Sequence, residues 1–318
     1  MTGVPLLLVD GHNLLFRACF GTPAQIWSRD PGDKRDLTTE FMFFALLRKA
    51  VNDELGSWPE ILVVFDGEEG SAERREADPG YKANRPVGDE ALRPIRALGD
   101  VKAGLDACCI TWTEPDAEAD DVIATLAAAS TGREVLIMSA DQDFYQLLRD
   151  PAPGLGPVRV LNTARRPGSR LIGPADVAAR YGVTPTQYAD FRALCGDPSD
   201  NIPGVRGIGA KTAATLLAGG LTLEDLPATG RLAERRGLAV TAMWEQVMTW
   251  RSMIRLRTDL PLATAPCGAA TGPMPGAGQV IARLGLWQRP ALPKPPVRCS
   301  RSTAQSGRAP SPAGAASR

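Results

Sequence analysis

Three short apolar runs in this chain end on acids. Leu6-Leu7-Leu8-Val9 stops at Asp10-Gly11, Ile61-Leu62-Val63-Val64-Phe65 stops at Asp66-Gly67, and Val135-Leu136-Ile137-Met138 leads through Ser139-Ala140 into Asp141-Gln142-Asp143. Apolar runs this short, bounded by turn residues, read as buried strands. Open α/β sheets bind their ligands at the carboxyl ends of the strands. A single strand followed by Asp-Gly is a common turn, but acids at three strand ends point to a shared site.

A second group of acids, Glu118-Ala119-Asp120-Asp121, opens a helix expected over 118–130. Acids suit a helix N-terminus for dipole reasons alone. Crowded carboxylates, however, raise one another's pKa, and a divalent cation removes that penalty. On a helix Glu118 and Asp121 share a face, whereas Asp120 is turned by about 200° from Glu118. Asp120 therefore reaches the same site only if the helix start points there. Asp197 and Asp200 add two loop acids in Cys195-Gly196-Asp197-Pro198-Ser199-Asp200-Asn201. Oxygen donors without a histidine or cysteine cluster favour Mg²⁺ or Mn²⁺. The nine acids Asp10, Asp66, Glu118, Asp120, Asp121, Asp141, Asp143, Asp197 and Asp200 exceed what one ion needs, so two ion sites, or one tight and one loose, are expected. His12, beside Asp10, reads as a hydrogen-bonded or surface histidine outside the chemistry.

Charge offers no global clue: 36 basic residues balance 36 acidic ones in 318 residues. A nucleic-acid partner must then be met by local patches. Arg17, just after the first strand, is poised for phosphate or a nearby acid. In the charge-dense stretch 68–90, Tyr81 offers a stacking face, and Lys82 and Arg85 offer phosphate contacts; a charge run is otherwise a solvated face. Gly204, Gly207 and Gly209, with Lys211 and Thr212, are spaced so that backbone can approach a phosphate at the start of a helix. The order GxxxxGK[ST] is absent, so this is no Walker loop.

The six cysteines form no CxxC pair, which argues against zinc and for a reducing compartment. No run approaches the roughly 20 apolar residues of a membrane helix, and a cytoplasmic location is expected. Further helices are expected from Thr38 (as N-cap), over 88–105, 174–181, 185–194 and 213–217, and within 234–256. Strands are expected at 109–112 and 158–161. Beyond about residue 290 the chain has basic residues and no acids, and reads as a disordered tail.

In their order, Val9-Asp10-Gly11, Phe65-Asp66-Gly67, Tyr81-Lys82-Ala83-Asn84-Arg85-Pro86, Glu118-Ala119-Asp120-Asp121, Asp141-Gln142-Asp143 and Gly196-Asp197-Pro198-Ser199-Asp200-Asn201-Ile202-Pro203-Gly204, running into Gly207-Ile208-Gly209-Ala210-Lys211-Thr212, resemble the 5′ nuclease superfamily. The likeness is to the 5′–3′ exonuclease domain of bacterial DNA polymerase I and its free-standing relatives, over roughly 5–287. It implies an α/β fold of PIN-like type: a central twisted, mostly parallel sheet, a helical arch at about 68–105, and a C-terminal helix-three-turn-helix region of the helix-hairpin-helix kind. The implied division is 1–170 for the catalytic region, 171–289 for the DNA-binding region and 290–318 for the tail.

The resemblance further implies that the nine acids surround the metals, and that Lys82 and Arg85, with Asp120 and Asp121, serve catalysis. Tyr81 would belong to the arch, and the Gly204–Lys211 turn would hold duplex backbone, with carbonyls for a K⁺ ion. The expected activity is 5′–3′ exonuclease and flap endonuclease on DNA ends, nicks and flaps, in replication and repair, by a monomer without a polymerase. Ala140 and Gln142 depart from the Gly and Lys common in polymerase-linked relatives. Two other readings are a PIN-like ribonuclease and a noncatalytic binder of branched DNA. The helix-three-turn-helix signature speaks against the first, and the intact acids against the second.

Overall fold

The computed structural model describes residues 3–32, 34–67, 70–84 and 88–288, with Glu73 and Ala77 as backbone only. The apolar runs build a six-stranded sheet of β1 (Leu6–Asp10), β2 (Glu60–Val64), β3 (Thr111–Thr113), β4 (Val135–Met138), β5 (Val158–Leu161) and β6 (Leu171–Ile172). The strand order is β3-β2-β1-β4-β5-β6, with only β6 antiparallel. Helices α1 (Gly11–Phe20), α2 (Thr38–Glu54), α3 (Ala72–Ala77), α4 (Leu98–Ala107) and α5 (Ala119–Ala129) alternate with the strands. After the sheet come α6 (Pro174–Tyr181), α7 (Tyr188–Cys195), α8 (Ala210–Leu216), α9 (Arg235–Ala242), α10 (Trp244–Ile254) and α11 (Ala277–Arg283).

Strands β1 up to Val9, β4 and residues 61–64 of β2 are continuous apolar runs because both faces of the sheet are covered there. Side chains alternate across a strand. Leu6 and Leu8 join Leu62, Val64, Val135 and Ile137 in the core beside α5, and Leu7 and Val9 join Ile61, Val63, Leu136 and Met138 beside α1, α2 and α4. All four β1 side chains from Leu6 to Val9 are 0% exposed, so truncating any of them removes contacts worth about 2–5 kcal/mol. Successive strands are added in one direction from β1 to β3 and in the other from β4 to β5. The crevice between the ends of β1 and β4 is thus the switch point where such sheets bind ligands.

The second part of the chain starts beyond β6 and returns to the first. Arg257 N–H donates to Asp121 Oδ1 at 2.9 Å, and Arg74 Nε donates to Met253 O at 2.9 Å. Further on, the N–H groups of Cys267 and Gly268 donate to the Glu60 carboxylate at the base of β2. Helix α11 then packs on α2 and α4, so tightly that a Cβ on Gly104 would lie 2.4 Å from Phe44 Cζ and 3.1 Å from Val280 Cγ1.

Several expected elements differ. The span 88–105 is not one helix: turns lead to a short 3₁₀ segment, Ile95–Ala97, before α4, and Pro94, which has no N–H, stands at the join. The arch is, among the described residues, the short α3 followed by turns. Thr38 is the first residue of α2 and Leu37 its N-cap, without a side-chain capping bond; Thr38 N and Oγ1 both donate to Asp36 Oδ1. Asp143 opens a 3₁₀ turn, Asp143–Leu147. The span 234–256 holds two helices, α9 and α10. The basic tail lies outside the described residues, among which no helix is long and apolar enough to cross a membrane.

Candidate active site

Parallel pairing brings the ends of β1, β2 and β4 to one edge of the sheet. Asp10 caps α1 by accepting from Asn13 N at 2.9 Å, and also accepts from Ser139 Oγ at 2.8 Å. Burial, followed by the charges of Asp66 and Asp141, pushes its carboxyl up to about 6 despite those two hydrogen bonds. Asp66 goes the other way. Burial raises it, but His12, the Ala119 N–H and the Lys82 charge together hold it below the usual range. His12 Nδ1 lies 3.1 Å from both the N and the Oδ2 of Asp66.

The start of α5 abuts the end of β2, because Ala119 N–H donates to Asp66 Oδ1 at 2.8 Å. The helix start therefore points into the site, which is the condition for Asp120 to reach it. Burial and the charges of Asp141, Asp10 and Asp66 drive the Asp120 carboxyl well up, with Lys82 opposing. Glu118 and Asp121 do share a face, and Arg74 spans them, with Nη1 2.5 Å from Glu118 Oε2 and Nη2 2.9 Å from Asp121 Oδ1. Glu118 Oε2 also receives Lys82 Nζ at 3.1 Å and Tyr81 OH at 3.3 Å, whereas its Oε1 is buried without a partner.

The loop after α7 completes the cluster. Arg192 holds Asp197 at 2.7 Å, and this ion pair, with hydrogen bonds from Ser199, outweighs burial and keeps the Asp197 carboxyl low. Burial and the charges of Asp141, Asp200 and Asp197 push Asp143 well up. Asp200 is also raised, by burial and then by Asp197, Asp141 and Glu118 against the pull of Lys82. The charge of Asp141 thus acts on Asp10, Asp120, Asp143 and Asp200 alike.

Of the residues expected to meet nucleic acid, Lys82 stands among the acids. Tyr81 does not offer a stacking face: it is 3% exposed, packed in the core with its hydroxyl on Glu118. Arg17 turns to Thr163, donating to its carbonyl at 2.6 Å and to its hydroxyl. Arg85 lies outside the described residues. In the turn between α7 and α8 the glycines divide into two kinds. Gly196 (φ +92) and Gly204 (φ +68) lie back to back, and a Cβ on Gly204 would sit 2.4 Å from Gly196 N. Gly207 (φ +85) and Gly209 meet nothing within 4 Å, and Lys211 beside them is exposed.

Sequence reasoning missed Arg74 and Arg192 and set His12 aside. Arg74 lay in a charge run that reads as solvated, and its partners are 44 and 47 residues away. Arg192 precedes Asp197 by five residues at the end of α7, a spacing that could have found it. Among the described residues no three acids converge on one point closely enough to ligate an ion outright. Glu118, Asp121, Asp66 and Asp197 are turned toward Arg74, Lys82, His12 and Arg192. The donors still fit a hard divalent cation: all are carboxylate oxygens, four are pushed up by burial and by one another, and one buried oxygen of Glu118 has no partner.

A parallel sheet with acids on its strand ends, joined to a helical region with a glycine-rich turn, defines the 5′ nuclease fold. Residues 5–182 match the 5′-3′ exonuclease N-terminal resolvase-like domain, and residues 183–273 match the 5′-3′ exonuclease C-terminal SAM fold. The chain belongs to the 5′–3′ exonuclease family. It is 38% identical over 262 residues to thermostable DNA polymerase I of Thermus thermophilus, an alignment covering 81% of this chain and 29% of that protein. DNA polymerase I of Mycobacterium tuberculosis is 36% identical over 267 residues, covering 82% and 28%. The chain thus spans under a third of the length of these relatives. The T5 5′-exonuclease shares the fold, with a TM-score of 0.57 and 22% identity over 79% of this chain and 87% of that one. So does the bacteriophage T5 flap endonuclease solved with DNA and metal ions, with a TM-score of 0.59 and 22% identity over 79% and 88%.

Proposed function

We propose that this chain is a divalent-metal-dependent 5′–3′ exonuclease and 5′ flap endonuclease that hydrolyses DNA phosphodiester bonds. The observation that carries the reading is that Asp10, Asp120, Asp143 and Asp200 stand at the sheet edge without an ion pair among the described residues, each pushed up by burial and by neighbouring acids, with Lys82 opposing at Asp120 and Asp200. Among the described residues, that is a crowding of carboxyl groups which no ion pair relieves. The T5 structure solved with DNA and metal ions supports the same reading by analogy of fold.

Asp10, Asp66, Glu118, Asp120, Asp121, Asp141, Asp143, Asp197 and Asp200 would surround Mg²⁺ or Mn²⁺, two ions in all. Such ions supply a water of lowered pKa and charge on the leaving oxygen. Lys82 presents its ammonium to the phosphate oxygens, with Arg85 as its partner in that role. Gly207 and Gly209 let duplex backbone come close, Lys211 adds charge beside it, and the turn's carbonyls suit K⁺. The substrates are DNA ends, nicks and flaps met by a monomer, and the work belongs to replication and repair in the cytoplasm.

The test is cleavage of a 5′-labelled flap and a nicked duplex in Mg²⁺, beside a protein carrying Asp120→Ala and Asp121→Ala and checked for fold and DNA binding. Cutting by the wild type and binding without cutting by the variant is the expected result. If neither cuts in Mg²⁺ or Mn²⁺ yet both bind branched DNA, the chain is a binding protein. A preference for RNA flaps over DNA flaps would favour the ribonuclease reading.

A further inference from the structure

Lys82 is one of only three non-glycine residues with positive φ among the described residues, at +54°, and Asn201 is another, at +60°. Side chains adopt that backbone region at a cost and persist there when the surroundings over-determine them. What surrounds Lys82 is the loop after α7. Lys82 N–H donates to Asp200 O at 3.2 Å. On one side of that bond Asn201 Nδ2 donates to Gly80 O at 2.8 Å, and on the other Asn84 Nδ2 donates to Pro198 O at 2.9 Å. Three hydrogen bonds thus seam residues 80–84 to residues 198–201, two segments more than a hundred positions apart in sequence.

The seam fixes where the Lys82 ammonium goes. Next to it, Tyr81 is anchored in the core, and the Lys82 side chain lies over the Tyr81 ring at 4.8 Å before reaching Glu118 at 3.1 Å. With the backbone held on one side by Asp200 O and by the two asparagine bridges, Lys82 Nζ faces the acids. The loop carrying Asn201 continues directly into the Gly204–Gly209 turn, so the part of the chain proposed to hold duplex is the part that holds Lys82.

We infer that Asn201 and Asn84 are positioning residues that couple the duplex-holding turn to the ammonium of Lys82. This rests on the nuclease reading above. The asparagine side chains bond to Gly80 O and Pro198 O and not, among the described residues, to an acid, and their effect runs through the backbone of residues 80–84.

Asn201→Gly keeps the positive φ accessible and removes only the bond to Gly80, so it separates the side-chain bridge from backbone strain. The experiment is a double-mutant cycle of Asn201→Gly with Lys82→Ala, read as the single-turnover cleavage rate at saturating flap DNA. Beside it, amide hydrogen exchange over residues 79–84 is followed in the metal-free protein. Loss of one hydrogen bond of ordinary net strength corresponds to a rate about 5-fold lower for Asn201→Gly. The substitution should change nothing further in the Lys82→Ala background, leave duplex affinity unaltered, and speed exchange over 79–84 only. Asn84→Ala should behave alike.

An equal fall in rate with and without Lys82 would overturn the inference, as would a loss of affinity with an unchanged saturated rate. If the wild type cuts no substrate, the nuclease reading fails while exchange still decides the seam. Unchanged exchange over 79–84 in both asparagine variants would show that the seam does not hold Lys82.

Discussion

The acids at the sheet edge are of two kinds. Asp66, Glu118, Asp121 and Asp197 each lie against a basic or histidine side chain: His12, Arg74 with Lys82, Arg74, and Arg192. Asp10, Asp120, Asp143 and Asp200 have no ion pair among the described residues, and all four are pushed toward the protonated form by burial and by neighbouring carboxylates. The first kind is satisfied by the fold, so its members orient helices. The second kind is left over by the fold, and under the proposed function its members carry the demand for a cation.

Exchanging one member of each kind tests this division most severely. Asp120→Asn should lower Mg²⁺-dependent cleavage by more than roughly 100-fold, beyond what loss of an outer-shell partner does. The metal-free protein should be at least as stable as before, because a repelled charge is gone. Asp197→Ala leaves Arg192 without its carboxylate, and breaking a buried pair costs about 3–5 kcal/mol, readable as a fall in the urea midpoint. If both variants unfold at the same urea concentration, the division has no energetic meaning.

Metal addition sharpens the comparison at a smaller scale. Mg²⁺ at about 100 times its dissociation constant should stabilise the wild type by roughly 2.7 kcal/mol, reversed by chelation. That increment should shrink in Asp143→Asn and survive in Arg74→Lys, which keeps a cation on the paired acids. Calorimetric scans with and without Mg²⁺ measure both.

The pH dependence has a definite sign. Asp10 is raised from its ordinary 3.8 to about 6, so between those values the native protein binds more protons than the unfolded chain. Stability contributed by Asp10 is therefore complete below about 4 and is lost as pH rises through about 6. Metal-free protein should lose stability across that window, and Asp10→Asn should flatten the slope. Asp66 and Asp197, held low, act in the opposite sense, losing their contribution as pH falls below the ordinary carboxylate range. The smallest effect belongs to Ser139→Ala, which removes a hydrogen bond to Asp10 worth about 1 kcal/mol and should move the Asp10 midpoint upward, as carboxylate NMR shifts would show.

Much of this organisation is written locally in the chain. Strands β1, β2 and β4 could be read because a sheet covered on both faces demands unbroken apolar runs, and Asp10, Asp66, Asp141 and Asp143 could be read because they follow such runs. Strand β6 could not, being two residues long. The arch stretch misled for a physical reason: its charges look solvated until Glu118 and Asp121 are brought to Arg74 from 44 and 47 residues away. Tyr81 looked like a stacking platform because nothing nearby in sequence signals that Leu6 and Leu8, among others, form the core cluster it joins. Asp120 was legible only as a condition on where α5 points, and the hydrogen bond from Ala119 to Asp66 settles that condition.

Helix α11 gives the molecule a different mechanical character from that of two beads on a string. The helical part leaves the sheet after β6 and comes back to it at Glu60 and then at Val280. It is a closed excursion whose ends are both pinned, and the ordering entropy of joining them is already spent in the native fold. Such a handle can flex but cannot swing away on a single tether, so the turn proposed to approach DNA and the acids at the sheet edge keep a fixed span.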